Sequence, residues 1–376
     1  MTTTTLKTPS RDRTDIYYWK CDRAAAFHGT EAVRPDNPLL ESQLLRTLER
    51  RFDAPLTLTP ADGQGNHRTF RLTIGEPGAA DATEAFVRTE DGPERDNYFD
   101  VETAVTFRLH AVGVPAPRIL ACDCSRSGTP FAWQVLEYIP FPDLNQHFKQ
   151  GTLAFGPVAE AIGETVARWQ GVRPQGFGPF SAVRARAFGT LIGLHASYPA
   201  YYRLNLRKHL DFLTERAFLT PAQAADIDAT VTRHAALLDL TQGCLVHKDL
   251  ALWNILGAPD SIAAFIDWDD TISGDPMDDL SLLACFHGAD VLGRALAGYT
   301  RISPLPENHL PRFWLHLLRN MLVKAVIRVG AGYFTRNDGF YLIGSGSTGA
   351  DLETFTRDRI ETALRGLNAS KDFDIL

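Results

Sequence analysis

The stretch LVHKDLALWNIL, residues 245–256, limits what this chain can fold into more than any other part of it. It begins like a buried strand, but then His247, Lys248 and Asp249 occupy positions where further apolar residues would be expected. Apolar residues follow again after Asn254. Charged side chains at the end of a strand are costly to remove from water and are tolerated mainly where they meet water, a metal or a substrate. The pattern therefore predicts a functional site at this strand end.

The residues after Asn254 predict a β-hairpin. Ile255 and Leu256 begin a strand, residues 257–261 (GAPDS) have the composition of a turn, and residues 262–266 return as a second apolar strand. A hairpin brings the ends of its two strands together, so Asn254 and Asp267 are expected at the same rim. An amide oxygen paired with a carboxylate suits Mg²⁺, which takes few protein oxygens and completes its shell with phosphate and water.

Asp249 lies just upstream of this predicted metal site. There it is placed to accept the proton of a hydroxyl that is brought to a phosphate held by the metal. The three polar residues then have separate predicted roles in one cleft. Asp249 is the base, and Asn254 and Asp267 are the metal ligands.

The rest of the chain predicts an α+β fold in two lobes. Short β-like runs are expected at residues 56–60, 69–75, 85–90, 118–123 and 131–139, with a helix over 96–111 between the third and the fourth. A helix over 37–52, capped by Asn37, precedes them. Later helices are expected at 158–170, 205–216, 221–238, 276–286 and 310–329. We therefore predict an N-terminal extension (1–36), a small lobe with an antiparallel sheet (37–137) and a larger, mainly helical lobe (138–376).

Composition narrows the partners and the compartment. The formal net charge of -7 argues against a broad nucleic-acid surface, because phosphate binding needs clustered Lys and Arg. The polar start of the chain and the lack of any apolar stretch of about 18 residues predict a cytoplasmic protein without membrane contact. Five scattered cysteines are expected to be reduced thiols. The oligomeric state is left open, and the aromatic cluster Tyr17-Tyr18-Trp19 is expected to pack on the body of the protein.

The motifs together resemble those of the aminoglycoside phosphotransferase family, which is related to choline kinases and more distantly to protein kinases. The resemblance is carried by His247-Lys248-Asp249, by Asn254, by Ile266-Asp267-Trp268 after the hairpin, and by the segment GDPMDDL at 274–280. It implies a protein-kinase-like fold and ATP with Mg²⁺ as cofactors. It also implies that His247 is structural and that Asp279 supports the catalytic loop by hydrogen bonding.

The same resemblance implies nucleotide contacts for six residues of the small lobe and its boundary with the larger lobe, namely Gly65, Asn66, Arg88, Glu102, Glu137 and Tyr138. The first two lie in a glycine-rich turn that would cover the phosphates. The next two would be a cation on the α- and β-phosphates and the helix acid that steadies it. The last two lie in the interlobe segment that would face adenine.

Two residues depart from the pattern of the family. Lys248 stands where the family most often has glycine, and three consequences are open: it lowers the pKa of Asp249, contacts a phosphate, or points outward. Arg88 stands where the family has Lys or Arg, and its planar, always charged group could change the phosphate geometry relative to Lys.

The acceptor is the least determined feature. The resemblance implies an ATP-dependent phosphotransferase that acts on a hydroxyl of a small molecule. Asp269 and Asp270 either form an acidic wall that would favour an amine-bearing sugar or simply cap the next loop. One alternative is a metabolic kinase for a sugar or an amino alcohol. Another is a pseudokinase that binds nucleotide as a regulatory module, against which the intact set of Asp249, Asn254 and Asp267 argues.

Overall fold

The computed structural model describes residues 13–23, 37–61, 67–92, 94–337 and 348–376. Within these ranges the strands are β1 Leu56–Pro60, β2 Arg68–Ile74, β3 Thr83–Glu90, β4 Ile119–Asp123, β5 Ala132–Glu137, β6 Phe177–Phe180, β7 Gly193–His195, β8 Cys244–Val246, β9 Ile255–Ala258, β10 Ser261–Phe265 and β11 Ile272–Gly274. The helices are α1 Trp19–Asp22, α2 Leu40–Phe52, α3 Tyr98–Ala111, α4 Leu144–Lys149, α5 Phe155–Trp169, α6 Ala182–Phe188, α7 Tyr198–Tyr202, α8 Leu206–Glu215, α9 Pro221–Arg233, α10 Met277–Ala284, α11 Ala289–Ile302, α12 His309–Gly330 and α13 Gly349–Ala369.

The first five strands form an antiparallel sheet in the order β1-β2-β3-β5-β4. Helix α2 covers one face with Leu40, Leu44 and Leu48, which recur at helical spacing and pack with Leu72 and Val87 of the sheet. The central strand β3 is buried on both faces toward its end, where Arg88 faces helix α3. The Arg88 guanidinium therefore lies in the interior, where Glu102 of α3 can neutralise its charge.

The second half of the chain is mainly helical and contains the larger core. Helix α12 is buried almost all round, and it packs against α10 and α13. A second sheet, in the order β7-β6-β11-β8, and the two-stranded hairpin β9-β10 lie in this half. Strand β8 pairs with β11, in register Val246↔Ile272, and ends just before His247. The sheet therefore fixes the point from which the catalytic motif leaves the core.

Several elements differ from the sequence predictions. Helix α2 begins at Leu40, and Asn37 does not cap it, because two turn residues separate them and Leu39 is the N-cap. Helix α9 ends at Arg233, and residues 235–238 form a 3₁₀ turn instead of continuing it.

Helix α11 was not predicted from the sequence. Its buried residues Leu292, Ala295, Leu296 and Tyr299 have helical spacing, but glycines interrupt the pattern. One of these glycines, Gly298, is where α11 approaches α5: a Cβ at this position would lie 1.9 Å from the carbonyl oxygen of Glu160. At Gly298, therefore, the residue that obscures the helix in the sequence is also one that its packing requires.

The leader, by which we mean residues Arg13–Arg23, packs on the body of the protein as the sequence predicted. Tyr17 stacks on Tyr201 with 4.9 Å between ring centroids, and the Tyr201 hydroxyl donates to the backbone oxygen of Tyr17 at 2.6 Å. Trp19 begins the single helical turn α1 and is buried. The five cysteines are free thiols, and none of the described helices is long and apolar enough to cross a membrane.

Replacing Gly298 by alanine should destabilise the fold, because the methyl group would overlap the backbone of α5. We expect a loss of about 1–3 kcal/mol in the free energy of unfolding, measured by urea denaturation. Gly293→Ala in the same helix is the matched control, since Gly293 is exposed and no atom lies within 4 Å of the place that its methyl group would occupy. That control should be neutral or slightly stabilising. Equal stabilities for the two variants would contradict the close approach of α5 and α11.

Candidate active site

The hairpin brings Asn254 and Asp267 to one rim. Ile255 pairs with Phe265 at the open end of the hairpin, and the backbone N–H of Ile266 donates to the backbone oxygen of Asn254 at 3.0 Å. Asn254 directly precedes this pair, and Asp267 follows it with a left-handed backbone, φ +64°. The structure therefore brings together the two residues that the sequence placed at a common rim.

Asn254 also contacts the candidate base. Its side-chain nitrogen donates to the backbone oxygen of Asp249 at 2.8 Å and to the Oδ2 of the same residue at 3.1 Å. These two hydrogen bonds fix the orientation of the Asn254 amide, and its oxygen is the atom that can bind a cation. Asp267 offers carboxylate oxygens beside it, and this pair of hard oxygen ligands fits Mg²⁺.

Asp279 holds the catalytic loop in position. Its carboxylate accepts from the backbone N–H of His247 at 2.9 Å and of Lys248 at 3.1 Å, and from the indole N–H of Trp169 at 2.9 Å. Burial raises the pKa of Asp279 to about 7, although these three donors favour the charged form. The geometry is that of a support for the loop, which is the role implied by the resemblance.

His247 is positioned by two backbone groups. Its Nε2 lies 3.0 Å from the backbone oxygen of Ile266, and its Nδ1 lies 3.3 Å from the backbone nitrogen of Asp249. Burial lowers the pKa of His247, so its ring is neutral, with the proton on Nε2 and an acceptor at Nδ1. The ring links the catalytic loop to the end of the hairpin and takes the structural position that the resemblance implied.

Lys248 follows none of the three orientations left open by the sequence. Its backbone has the left-handed φ of +70° that glycine adopts without strain, and its side chain turns inward, away from Asp249. The ammonium group lies 2.9 Å from Asp278, 2.9 Å from the side-chain oxygen of Asn320 and 3.2 Å from the hydroxyl of Tyr17. Lys248 therefore ties the catalytic loop to helix α12 and to the leader.

The predicted pair of Arg88 and Glu102 is formed between β3 and α3. Arg88 bonds to the Glu102 carboxylate and to Gln134 at 2.7 Å, and its other terminal nitrogen lies 3.5 Å from Asp267. The remaining oxygen of Glu102 accepts from the backbone N–H of Trp268 at 3.2 Å. The pair thus connects the first sheet with the segment that carries the candidate metal ligand.

The other nucleotide residues predicted from the sequence are less well defined. Gly65 and Asn66 lie outside the described residues. Glu137 pairs with Arg118 at 3.2 Å, and its backbone N–H already donates to the backbone oxygen of Arg118 at 2.8 Å. The ring of Tyr138 lies under the guanidinium of Arg71. An adenine contact at Glu137 would therefore have to use another backbone group.

Asp269 and Asp270 do not form the open acidic wall that the sequence predicted. Both are buried, because Arg13 of the leader inserts between them and Asp96. The Arg13 guanidinium lies 2.6 Å from the backbone oxygen of Asp269 and 3.4 Å from Oδ1 of Asp270. His67 lies 3.7 Å from Asp269 on the other side. The negative charge expected to face an acceptor is thus largely compensated by the cations of the chain itself.

Three residues at the candidate base were missed by sequence reasoning. Oδ1 of Asp249 accepts from the Tyr18 hydroxyl at 2.7 Å and from the Lys324 ammonium at 3.1 Å, and Oδ2 accepts from the Lys20 ammonium. Burial alone would raise the pKa of Asp249, but Lys20 and Lys324 hold it well below its usual range.

The sequence carried only weak signals for these residues. Lys324 interrupts the apolar run MLVKAVI of helix α12, which is a sign of a buried cation that needs a partner. Tyr18 lies in the aromatic cluster of the leader, and Lys20 directly follows that cluster. Both residues are far from the motif along the chain. No spacing rule connects them to Asp249.

The leader is anchored to helices α8 and α12 by a buried polar chain. Asp22 accepts from the backbone N–H of Tyr17 at 2.9 Å and lies 3.1 Å from Nε2 of His209. The other ring nitrogen of His209 lies 2.9 Å from Arg319, whose guanidinium also covers the ring of Tyr17 at 3.7 Å. Burial and the neighbouring Arg319 lower the pKa of His209 to about 4, so the ring is neutral between a cation and a carboxylate.

The sequence matches the family model described as phosphotransferase enzyme family over residues 57–312. The chain belongs to this family. Members are small-molecule kinases that transfer phosphate to hydroxyl groups, so the family and the enzyme class predicted from the sequence are confirmed. No curated protein matches the chain by sequence.

Solved structures confirm the fold. A thermostable mutant of aminoglycoside phosphotransferase APH(4)-Ia, in a ternary complex with AMP-PNP and hygromycin B, is 16% identical and has a TM-score of 0.59, covering 87% of this chain and 99% of its own. Macrolide 2'-phosphotransferase MphH from Brachybacterium faecium is 17% identical, has a TM-score of 0.54 and covers 89% and 100%. The streptomycin-ATP-APH(2")-IIa ternary complex is 13% identical, has a TM-score of 0.52 and covers 87% and 98%. The predicted α+β, protein-kinase-like architecture is therefore correct.

The neutral state of His209 predicts a pH-dependent stability. The unfolded chain binds a proton at His209 near pH 6.5 and the folded chain only near pH 4, so stability is lost as the pH falls through this window. The loss attributable to this ring is about 3 kcal/mol when the whole window is crossed. His209→Gln keeps a donor and an acceptor but does not titrate. Urea denaturation at pH 7 and pH 5 should show a smaller difference for the variant, and equal differences would contradict the assignment.

Proposed function

We propose that the protein transfers the γ-phosphate of Mg-ATP to a hydroxyl of a small molecule, with Asp249 as the base. The observation that carries this proposal is the arrangement at the hairpin rim, where Asp249 contacts Asn254 and lies beside Asp267. The loop that carries Asp249 is fixed by Asp279 and His247. A base held in this way beside two oxygen ligands is the arrangement that phosphoryl transfer requires.

The low pKa of Asp249 is compatible with this reaction. An acceptor hydroxyl donates its hydrogen bond to Asp249, its oxygen forms the new bond to the γ-phosphorus, and the bond from that phosphorus to the bridging oxygen of ADP breaks. The proton of the hydroxyl passes to Asp249. Because the transition state is loose, the proton leaves late and the base has mainly to orient the hydroxyl, which a weakly basic carboxylate can do.

Asn254 and Asp267 would hold the Mg²⁺ ion through the amide oxygen and the carboxylate. When bound, the ion supplies charge neutralisation for the β- and γ-phosphates. Arg88 would contact the phosphates from the side of the first sheet, and its pair with Glu102 keeps the guanidinium in place. Since Arg88 already lies 3.5 Å from Asp267, it would supply positive charge close to a residue that would hold the metal.

A metabolic acceptor, such as a sugar or another neutral alcohol, is favoured over an aminoglycoside. The observation behind this second candidate is the burial of Asp269 and Asp270 in ion pairs with Arg13 and His67. Carboxylates that are already compensated attract the amines of an acceptor weakly. The pseudokinase alternative is less well supported, because the base and both candidate metal ligands are present.

Asp249→Asn should abolish phosphoryl transfer while nucleotide binding persists. We expect at least a 100-fold loss of transfer from Mg-ATP to a pooled panel of sugars, amino alcohols and aminoglycosides, since the amide cannot take the proton. Thermal stabilisation by Mg-ATP should remain, because Asn254 and Asp267 are unchanged. A variant as active as the wild type would refute Asp249 as the base. A wild-type protein that is not stabilised by Mg-ATP and transfers no phosphate would refute the proposed function.

Asp267→Ala should separate metal-dependent from metal-independent nucleotide binding. We expect the extra thermal stabilisation that Mg²⁺ gives in the presence of ATP to disappear, because the carboxylate ligand is lost. Asp260→Ala is the matched control, since Asp260 is an exposed carboxylate in the turn of the same hairpin. It should keep the Mg²⁺-dependent increment. An unchanged increment in Asp267→Ala would show that the metal binds elsewhere.

A further inference from the structure

The leader is buried as deeply as the core elements around it. Tyr17 is 1% exposed and Trp19 4%, and Arg13 is 2% exposed although it carries a charge. Arg13 reaches Asp96 before helix α3 and Asp270 after the hairpin, so the segment bonds to both halves of the molecule. Such burial is typical of an integral part of a fold rather than of a loosely attached tail.

Two anchors determine where Lys20 lies. On one side, the hydroxyl of Tyr17 contacts the ammonium of Lys248 in the catalytic loop at 3.2 Å. On the other side, Asp22 bonds to His209 at 3.1 Å. Lys20 lies between these two residues along the chain, in the single helical turn α1. The contacts of Tyr17 and Asp22 therefore direct the side chain of Lys20 toward Asp249 and Asp267.

The Lys20 ammonium contacts the carboxylates on which the proposed reaction depends. It bonds to Oδ2 of Asp249 and lies 3.4 Å from Oδ2 of Asp267. It is also 3.8 Å from Asp270. A cation that reaches both the proposed proton acceptor and a candidate metal ligand lies beside the groups between which the phosphoryl group would move in the proposed reaction.

We propose that the leader completes the active site and that Lys20 is a catalytic residue, which binds the oxygens of the phosphoryl group in transit. The proposal rests on the proposed phosphotransferase function. As the bond from the acceptor oxygen to the γ-phosphorus forms and the bond to ADP breaks, negative charge is spread over the transferred oxygens. The ammonium of Lys20 compensates that charge while the proton of the acceptor passes to Asp249.

The acceptor hydroxyl must replace one of the donors on Asp249, because this carboxylate is only 3% exposed and both its oxygens are occupied. Removing Lys20 or Lys324 would take away one of the two counter-ions of a buried negative charge, which is strongly unfavourable. Removing the neutral hydroxyl of Tyr18 costs much less, because no charge loses its counter-ion. The acceptor hydroxyl therefore takes the place of the Tyr18 hydroxyl on Oδ1, and Lys20 stays on Oδ2.

The test compares Lys20→Met with the wild type in two assays on the full chain. The first measures kcat and KM for Mg-ATP in phosphate transfer to the panel compound that the wild type phosphorylates, or to water if none does. We expect kcat to fall about 100-fold or more with KM nearly unchanged, as for the loss of one transition-state donor. The second assay is thermal unfolding with and without Mg-ATP, in which the variant should keep its nucleotide-dependent shift.

Two further variants keep the test decisive. Lys20→Arg retains the charge and should recover part of the rate, which a purely structural role for the methylene chain would not explain. Lys208→Met is the matched control, because Lys208 is exposed and lies 3.9 Å from Asp22 of the same leader. It should leave kcat unchanged.

Each outcome bears on a different statement. Lys20→Met as active as the wild type would refute the catalytic role and leave the phosphotransferase function standing. A rate higher than that of the wild type would show that the leader blocks the site, which also refutes the proposal. A wild-type protein that binds Mg-ATP but neither hydrolyses it nor transfers phosphate would refute the proposed function itself.

Discussion

The burial of Asp249 is the constraint on which the rest of the site depends. A carboxylate that is 3% exposed stays charged only if the protein supplies counter-charges and hydrogen bonds around it. Here the counter-charges come from two distant parts of the chain, Lys20 of the leader and Lys324 of helix α12. The packing of the leader and the position of α12 are therefore tied to the charge of the proposed base, and the proposed catalytic motif cannot be described without them.

Other buried charges around Asp249 are likewise neutralised by partners within the chain. Lys248 is neutralised by Asp278, Arg88 by Glu102, and Arg13 by Asp96 and Asp270. These pairs join elements that lie far apart along the chain, so they hold the first sheet, the hairpin and the leader around one cleft. Buried pairs of this kind add little net stability, but removing one partner is costly, which favours a single arrangement of the parts.

The features that depend on local pattern could be predicted from the sequence. Short-range rules of strands and turns predict the GAPDS turn of the hairpin, the proposed base Asp249 and the two rim residues Asn254 and Asp267. The pair of Arg88 and Glu102 is implied by the resemblance to a family. Lys20, Tyr18 and Lys324 could not be predicted, because their contact with Asp249 arises from packing between segments hundreds or tens of residues apart. Asp269 and Asp270 were expected to face an acceptor for the same reason: the sequence shows two carboxylates in a row and does not show that Arg13 inserts between this pair and Asp96.

The distribution of charge also bears on how an acceptor would be recognised. In a cleft where Lys20, Lys324 and Arg13 already compensate the carboxylates, an additional cation gains little, and an amine on the acceptor would have to displace a resident ion pair. A hydroxyl displaces only the neutral donor Tyr18. Under the proposed function, this arrangement of charges would therefore favour acceptors that present alcohol groups without a nearby positive charge, and discrimination would come from shape and hydrogen bonds rather than from net charge.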